Sequence, residues 1–367
     1  MLLDHAKLPK LRVQETFSAK QIQMAEYFLL TCIKKAVNKI GWLIVILATI
    51  LVSCNQNQEI NGLHVRSQDY LGQVLPNERP KVFAGGIIST GMSERDISIS
   101  HDGNEIYYSL SSGDWSTIMV ARRINGSWFD PVVAEFARDT TRFFSAPSIS
   151  HDGLRILFSS SERGMRNQQI WKAEREPGGT WGKPCLLPPS INTAQEEFYP
   201  SLAKNGNLYF SRRDTLTKKT SIYFSKWENG EFSLPLPLPA PVNGPGFIYN
   251  ASIAPDESFL VACAVGRDSL SASKASTYML FFHNPDGTWS KGIDLVKTLR
   301  LPCREAISMS VSPNGTYLFY AAANRTQSYK DFAPGWELSN FHRIRNLQGN
   351  GSSDIFWFNF KKVMFRL

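Results

Sequence analysis

From residue 80 onward the chain alternates short apolar runs with polar turns, and the alternation repeats. Five segments share one frame: Ser98-Ile-Ser-His-Asp-Gly103, Ser148-Ile-Ser-His-Asp-Gly153, Ser201-Leu-Ala-Lys-Asn-Gly206, Ser252-Ile-Ala-Pro-Asp-Glu257 and Ser310-Val-Ser-Pro-Asn-Gly315. Their last positions, 103, 153, 206, 257 and 315, recur at a nearly even interval. Asp-Gly and Asn-Gly endings suit a tight turn whose last residue is left-handed, a conformation glycine adopts at least cost. After each turn comes a β-branched or aromatic run too short for a helix, such as Ile106-Tyr107-Tyr108 or Leu208-Tyr209-Phe210. These runs predict second strands. A third run follows a variable loop: 117–121, 169–173, 221–225, 277–281 and 354–358. Four of the five then meet Asn125-Gly126, Gly178-Gly179, Asn229-Gly230 or Asp286-Gly287. Such dipeptides favour two-residue hairpin turns. Trp128, Trp181, Phe232 and Trp289 stand two residues beyond and are predicted to open a fourth strand.

A period of roughly 50 residues with four strands per unit predicts an all-β repeat architecture. One four-stranded sheet buries both faces only when neighbours stack on it. The fifth unit runs out at its third strand, while Pro80-Lys-Val-Phe-Ala84 precedes the first unit. The offset from Phe83 to Ser98 equals that from Leu186 to Ser201. The N-terminal segment therefore reads as the fourth strand of the last unit. The expectation is a β-propeller of five four-stranded blades, closed by that strand, which removes exposed sheet edges. Residues 321–353 are read as a long loop of the last blade and leave a sixth blade open. Loops of that length are uncommon and often functional.

The net charge of +8 changes the picture only at the N-terminus. Residues 1–54 carry seven Lys or Arg against three acids, and the rest is nearly balanced. No basic stripe or nucleic-acid motif is present, so nucleic acid is not an expected partner. Lys34-Lys35 and Lys39 flank an uncharged run from Ile40 to Ser53. That run is short of the ~20 residues a membrane span needs and fits a secretory signal. It ends Leu51-Val52-Ser53-Cys54, which resembles a bacterial lipobox. The resemblance implies that Cys54 is lipidated and becomes the first residue of the mature protein. Asn55 rather than Asp follows it, and Asn55 to Glu59 lacks an acidic cluster resembling surface-export signals, so the reading is an outer-membrane lipoprotein facing the periplasm. A plain buried or membrane-anchoring helix is the alternative. Residues 1–23 are unusual ahead of a signal, and Met24 is an alternative start. The expected organisation is a signal region at 1–54, a linker at 55–79 and the propeller at 80–367. Cys185, Cys263 and Cys303 match no zinc or disulfide spacing and read as buried small hydrophobes.

The Ser-x-Ser-Pro-Asn-Gly turn at 310–315, the Leu-Tyr-Phe strand at 208–210 and the Asp-Ile-Phe strand at 354–356 resemble PD40, or WD40-like, β-propeller repeats. These occur in the TolB propeller and in many bacterial lipoproteins. The resemblance covers about residues 80–360. His101 and His151 stand where the family has proline, and Glu257 where it has glycine. Only the stretch 55–79 separates Cys54 from the first strand, so the α/β domain that accompanies the TolB propeller is not expected. The resemblance implies a fold more than an activity, since propellers host many functions.

In a propeller, the loops leading into the innermost strands and those joining second to third strands meet at one mouth of the channel, here termed the upper face. The repeat frame places Glu94, Asp96, Arg142, Glu196, Glu197, Tyr249, Asn250, Arg304 and Glu305 in the first set. Carboxylates from separate blades can act as acid and base in glycoside cleavage, provided they pair in space. Arg163, Arg267 and Arg325 stand at one shared offset after their turn positions, with Arg212 and Arg213 nearby in the third unit. Converging guanidinium groups can grip carboxylates or phosphates, or can hold the loops themselves. Trp336, with Tyr329, Phe332 and Phe341, offers aromatic contacts in the long loop. His101 and His151 fall on the opposite, lower face, where blade spacing is expected to keep them apart. No metal motif, nucleophile elbow or phosphate loop stands out, so neither a metal nor a cofactor is called for. The expected function is a non-catalytic scaffold binding an envelope protein or glycan. The alternative is a carbohydrate-active enzyme using Glu94, Glu197 or Glu305.

Overall fold

The protein is described by a computed structural model covering residues 66–67, 69–113, 115–165, 167–266, 275–325, 346 and 348–367. The signal region with Cys54, the segment 55–65, Arg267 and Trp336 lie outside the described residues, as do Tyr329, Phe332 and Phe341. Among the described residues no helix is long and apolar enough to cross a membrane.

Five antiparallel four-stranded sheets follow one another. Blade 1 holds Ser93–Ile99, Glu105–Ser112, Trp115–Ile124 and Val132–Val133. Blade 2 runs Arg142–Ile149, Arg155–Glu162, Gln169–Glu174 and Cys185–Leu186, and blade 3 runs Glu196–Leu202, Leu208–Arg213, Thr220–Ser225 and Leu236–Pro237. Blade 4 holds Phe247–Ile253, Phe259–Val265, Ser276–Phe282 and Ile293–Asp294. Blade 5 takes Ala306–Val311, Tyr317–Arg325 and Asn350–Asn359 from its own repeat. Its fourth strand is Lys81–Val82, paired antiparallel with Trp357 and Phe356. The first strands contact one another in ring order, blade 5 back to blade 1. The predicted five-bladed propeller, closed by the N-terminal strand, is therefore what forms.

The predicted fourth strands need correction. Trp128, Trp181, Phe232 and Trp289 sit in small hairpins at the end of the third strands. The fourth strand starts a few positions later each time, at Val132, Cys185, Leu236 and Ile293. These outer strands are very short and largely solvated, so they carry no apolar pattern to read. For the same reason Cys185 is exposed, against expectation, while Cys263 is buried and Cys303 half-buried. Part of the segment read as linker packs on the ring. Arg66–Ser67 pairs with the Ser127–Trp128 hairpin, and Leu71 joins the apolar cluster around Phe83.

Apolar side chains fill the spaces between successive blades. The closing space holds Phe83, which is fully buried and meets Phe319 and Trp357 edge-on at 5.1 and 5.2 Å between ring centres. The repeated serine of each turn frame stitches blades together. Ser98, Ser148, Ser201 and Ser252 accept the backbone N–H of Ile149, Leu202, Ile253 and Val311 in the next blade, at 3.0–3.3 Å. Two residues before each of these serines the first strand bulges. Asp96, Ala146, Tyr199 and Asn250 take left-handed φ values of 51–54° there. A bulged amide loses its ladder partner and needs another acceptor. Ser109, Ser159 and Ser211 provide it for Ala146, Tyr199 and Asn250. Cys263 replaces serine in blade 4, and the Tyr278 hydroxyl accepts the Ile307 amide instead.

Candidate ligand site at the channel mouth

The bulges aim side chains at the channel axis. Arg95, Ser145, Phe198 and Tyr249 all stand three residues before a frame serine, and all four line a cavity of about 420 Å³ at the upper mouth. Trp115 and Phe143 complete its aromatic wall. Tyr199 forms the floor. It lines this cavity and a smaller one of about 80 Å³ below. Its hydroxyl donates across the channel, from blade 3 to the Met309 carbonyl of blade 5, at 3.2 Å. Burial pushes the Tyr199 phenol well above its usual range, so it stays a neutral donor.

Arg95 brings the cavity its positive charge. Its Nε donates to Asp96 Oδ1 at 2.8 Å, with about a third of the side chain exposed. Asp96 Oδ2 in turn accepts from the Ser109 hydroxyl at 2.8 Å and from the Ala146 amide at 3.3 Å. Asp96 is thus buried and committed to holding Arg95 and the bulge. Among the described residues that line the cavity, Arg95 is the charged one.

The other sequence candidates sit elsewhere. Glu94 and Glu197 are 0% exposed and lie behind the mouth, between blades. Glu197 accepts from Arg212 Nε at 2.8 Å, from the Thr193 hydroxyl and amide, and from Gln169. Glu94 accepts from the Thr90 hydroxyl, and burial, reinforced by the nearby Asp354, pushes its carboxyl up to about 7. Arg142 bonds Ser160 at 3.0 Å and lies over the Trp171 ring at 4.4 Å. Glu196 pairs with Arg213 at 3.3 Å. Glu305 and Arg163 are exposed, and the Arg163 amide donates to the Thr141 carbonyl. The Arg325 backbone pairs with Asn350 at the end of its strand. The structure brings Tyr249 and Asn250 to the mouth from the sequence set. Arg95, Phe198 and Tyr199 went unselected, although one offset from the frame serine locates the first two.

On the lower face the histidines correct the expectation. The rings of His101 and His151 lie 3.7 Å apart. Adjacent first-to-second strand turns project side by side, so consecutive blades bring equivalent turn residues together. Burial and the neighbouring His101 hold the His151 imidazole below its usual range. Among the described residues no group of three or more metal-ligating side chains forms.

No protein-family model matches the sequence, and no curated protein matches it. Among solved structures, TolB from Acinetobacter baumannii is 16% identical over 72% of this chain, with a TM-score of 0.43. The chain spans 54% of that protein's length. A protein assigned as TolB from Agrobacterium tumefaciens is 16% identical, with 64% of this chain and 72% of that one covered and a TM-score of 0.40. A thermostable family-43 glycoside hydrolase is 14% identical, with coverage of 77% and 91% and a TM-score of 0.43. These are distant likenesses, and the propeller assignment rests on the sheet topology.

Proposed function

We propose that the chain is a lipid-anchored propeller of the bacterial envelope that binds a protein or glycan partner at its upper channel mouth without transforming it. One observation carries this reading: the mouth is a cavity of about 420 Å³ walled by aromatic rings, with Arg95 the one guanidinium lining it among the described residues. Rings offer stacking area at small entropic cost, and a guanidinium fixes orientation by bidentate hydrogen bonds. Glycoside cleavage needs two carboxyl groups flanking the bond to be broken. Glu94 and Glu197 are fully buried, and Glu197 is occupied by Arg212. That favours binding over hydrolysis. Anchoring at Cys54 rests on the lipobox-like sequence.

The test uses the full-length protein in envelope fractions, with a photo-crosslinking residue replacing Trp115. The expected result is one cross-linked partner, a defined protein or glycan, lost in Arg95→Ala. Cys54→Ala should move the protein from the membrane to the soluble fraction. Turnover of an envelope glycan that Glu94→Gln or Glu197→Gln abolishes would overturn the binding reading in favour of an enzyme.

A further inference from the structure

The seam that closes the ring holds two buried acids that the channel mouth does not use. Residues 348–355 of blade 5 lie along residues 89–94 of blade 1. Gln348 donates to the Ser89 carbonyl, Asn350 to the Gly91 carbonyl and the Ser353 hydroxyl to the Glu94 carbonyl, at 2.8–3.2 Å. Ser89 and Ile355 exchange hydrogen bonds through the serine hydroxyl. Within this zip stand Glu94, 0% exposed, and Asp354, 2% exposed. Each keeps one oxygen satisfied: Glu94 Oε1 by Thr90, Asp354 Oδ2 by the Gly349 amide at 2.8 Å. The other two, Glu94 Oε2 and Asp354 Oδ1, are buried with no hydrogen-bond partner among the described residues.

We propose that Glu94 and Asp354 form a site for a hard divalent cation, calcium in chemical class, which locks blade 5 to blade 1. The argument starts inside the protein. Blade 3 carries the same device, a buried glutamate with a threonine four residues before it. There the cross-strand neighbour is Arg212, whose guanidinium neutralises Glu197. In blade 1 the cross-strand neighbour of Glu94 is Leu110. A second acid, Asp354, directly follows Ser353, whose hydroxyl donates to the Glu94 carbonyl at 2.9 Å. A buried carboxylate without a counter-charge is strongly unfavourable, so the pair takes up either protons or a cation. Two carboxylate oxygens suit a hard cation, whereas zinc or copper would ask for imidazole or thiolate. Calcium tolerates irregular sets of six to eight oxygens and sheds water more readily than magnesium. Backbone carbonyl, hydroxyl and water oxygens would complete the set.

This inference is independent of what the channel mouth binds. The experiment uses the full-length protein stripped with chelator, then titrated with calcium chloride or magnesium chloride at pH 7.5. Equilibrium dialysis should show one calcium per chain, and thermal melts should rise by several degrees, saturably, with a smaller response to magnesium. Asp354→Asn and Glu94→Gln should each abolish the stoichiometric calcium and its melting shift. Leu110→Arg should copy blade 3, giving a high melting temperature in chelator and no calcium response. No calcium bound by the wild type at millimolar concentration would overturn the proposal, leaving the pair to share a proton. Calcium retained by both carboxyl variants would overturn it equally.

Discussion

In blades 1 and 3 a threonine donates its hydroxyl to a glutamate four residues later: Thr90 to Glu94, Thr193 to Glu197. Both glutamates open the innermost strand and both are fully buried. Their surroundings then diverge. Glu197 faces Arg212 across the sheet and gains Gln169 from blade 2. Glu94 faces Leu110 and has Asp354 nearby. The backbone device is repeated while the counter-charge is not. The difference teaches that the repeat fixes where a side chain sits, whereas one cross-strand residue decides whether it has a counter-charge. Blade 3 holds an ion pair at a seam between two ordinary blades. Blade 1 holds an uncompensated acid at the seam that closes the ring.

The largest effect should come from making blade 3 resemble blade 1. Arg212→Leu strips Glu197 of its guanidinium in a water-excluded place. Breaking a buried pair by removing one partner costs about 3–5 kcal/mol. Urea denaturation should show that loss. A loss below about 1 kcal/mol, the scale of an exposed pair, would mean that the arginine is not what keeps Glu197 tolerable, and the comparison would collapse.

The next effect concerns pH in blade 1. Burial raises the Glu94 carboxyl to about 7 and the Asp354 carboxyl to about 6, so the folded protein holds these protons more tightly than the unfolded chain. Stability from this source is full below the ordinary carboxyl range and is lost as pH rises through about 7. Asp102, Asp152 and Glu135 are shifted down by their hydrogen bonds and act in the opposite sense on acidification. The useful measure is therefore a difference. In chelator, wild type minus Glu94→Gln should fall by roughly 2–3 kcal/mol between pH 4 and 8, since each pKa unit is worth about 1.4 kcal/mol. A flat difference would show that Glu94 stays charged in the fold.

Much of the architecture could be read from the chain because four of the five turn frames end in glycine, suited to a left-handed turn, and all five are followed by an apolar strand. The closing strand was legible through one offset, Phe83 to Ser98 matching Leu186 to Ser201. The fourth strands were misplaced because so short a solvated strand carries no pattern, whereas the aromatic residues just before it do. The acids drew attention by residue type, yet type does not say which way a bulged strand turns its side chains. Arg95 faces the cavity while Glu94, one residue earlier, is buried behind it. The Glu94–Asp354 seam could not be read at all. Its partners stand at opposite ends of the propeller sequence, and only ring closure brings them together. The histidine pair was missed through the assumption that neighbouring blades hold their turns apart.

The smallest effect is also the sharpest. Thr90→Val and Thr193→Val each remove one hydroxyl from a near-isosteric side chain. Each hydroxyl also accepts the amide two residues on, Met92 for Thr90 at 3.2 Å and Gln195 for Thr193 at 3.1 Å. That shared loss cancels when the two variants are compared. What remains is how far each carboxyl depends on its threonine. Glu197 keeps Arg212, Gln169 and the Thr193 amide, so Thr193→Val should cost about 1 kcal/mol. Glu94 has Oε2 already without a partner and no guanidinium beside it, so losing the Thr90 hydroxyl leaves its carboxyl with backbone amides alone. In chelator at pH 7.5, Thr90→Val should cost about 2 kcal/mol, toward the range for hydrogen bonds to charged groups. Denaturant midpoints of the two variants, taken side by side, give the difference. Equal losses would mean that the arginine of blade 3 does nothing to relieve the threonine. A larger loss in blade 1 that calcium chloride erases would tie the same carboxyl to the cation.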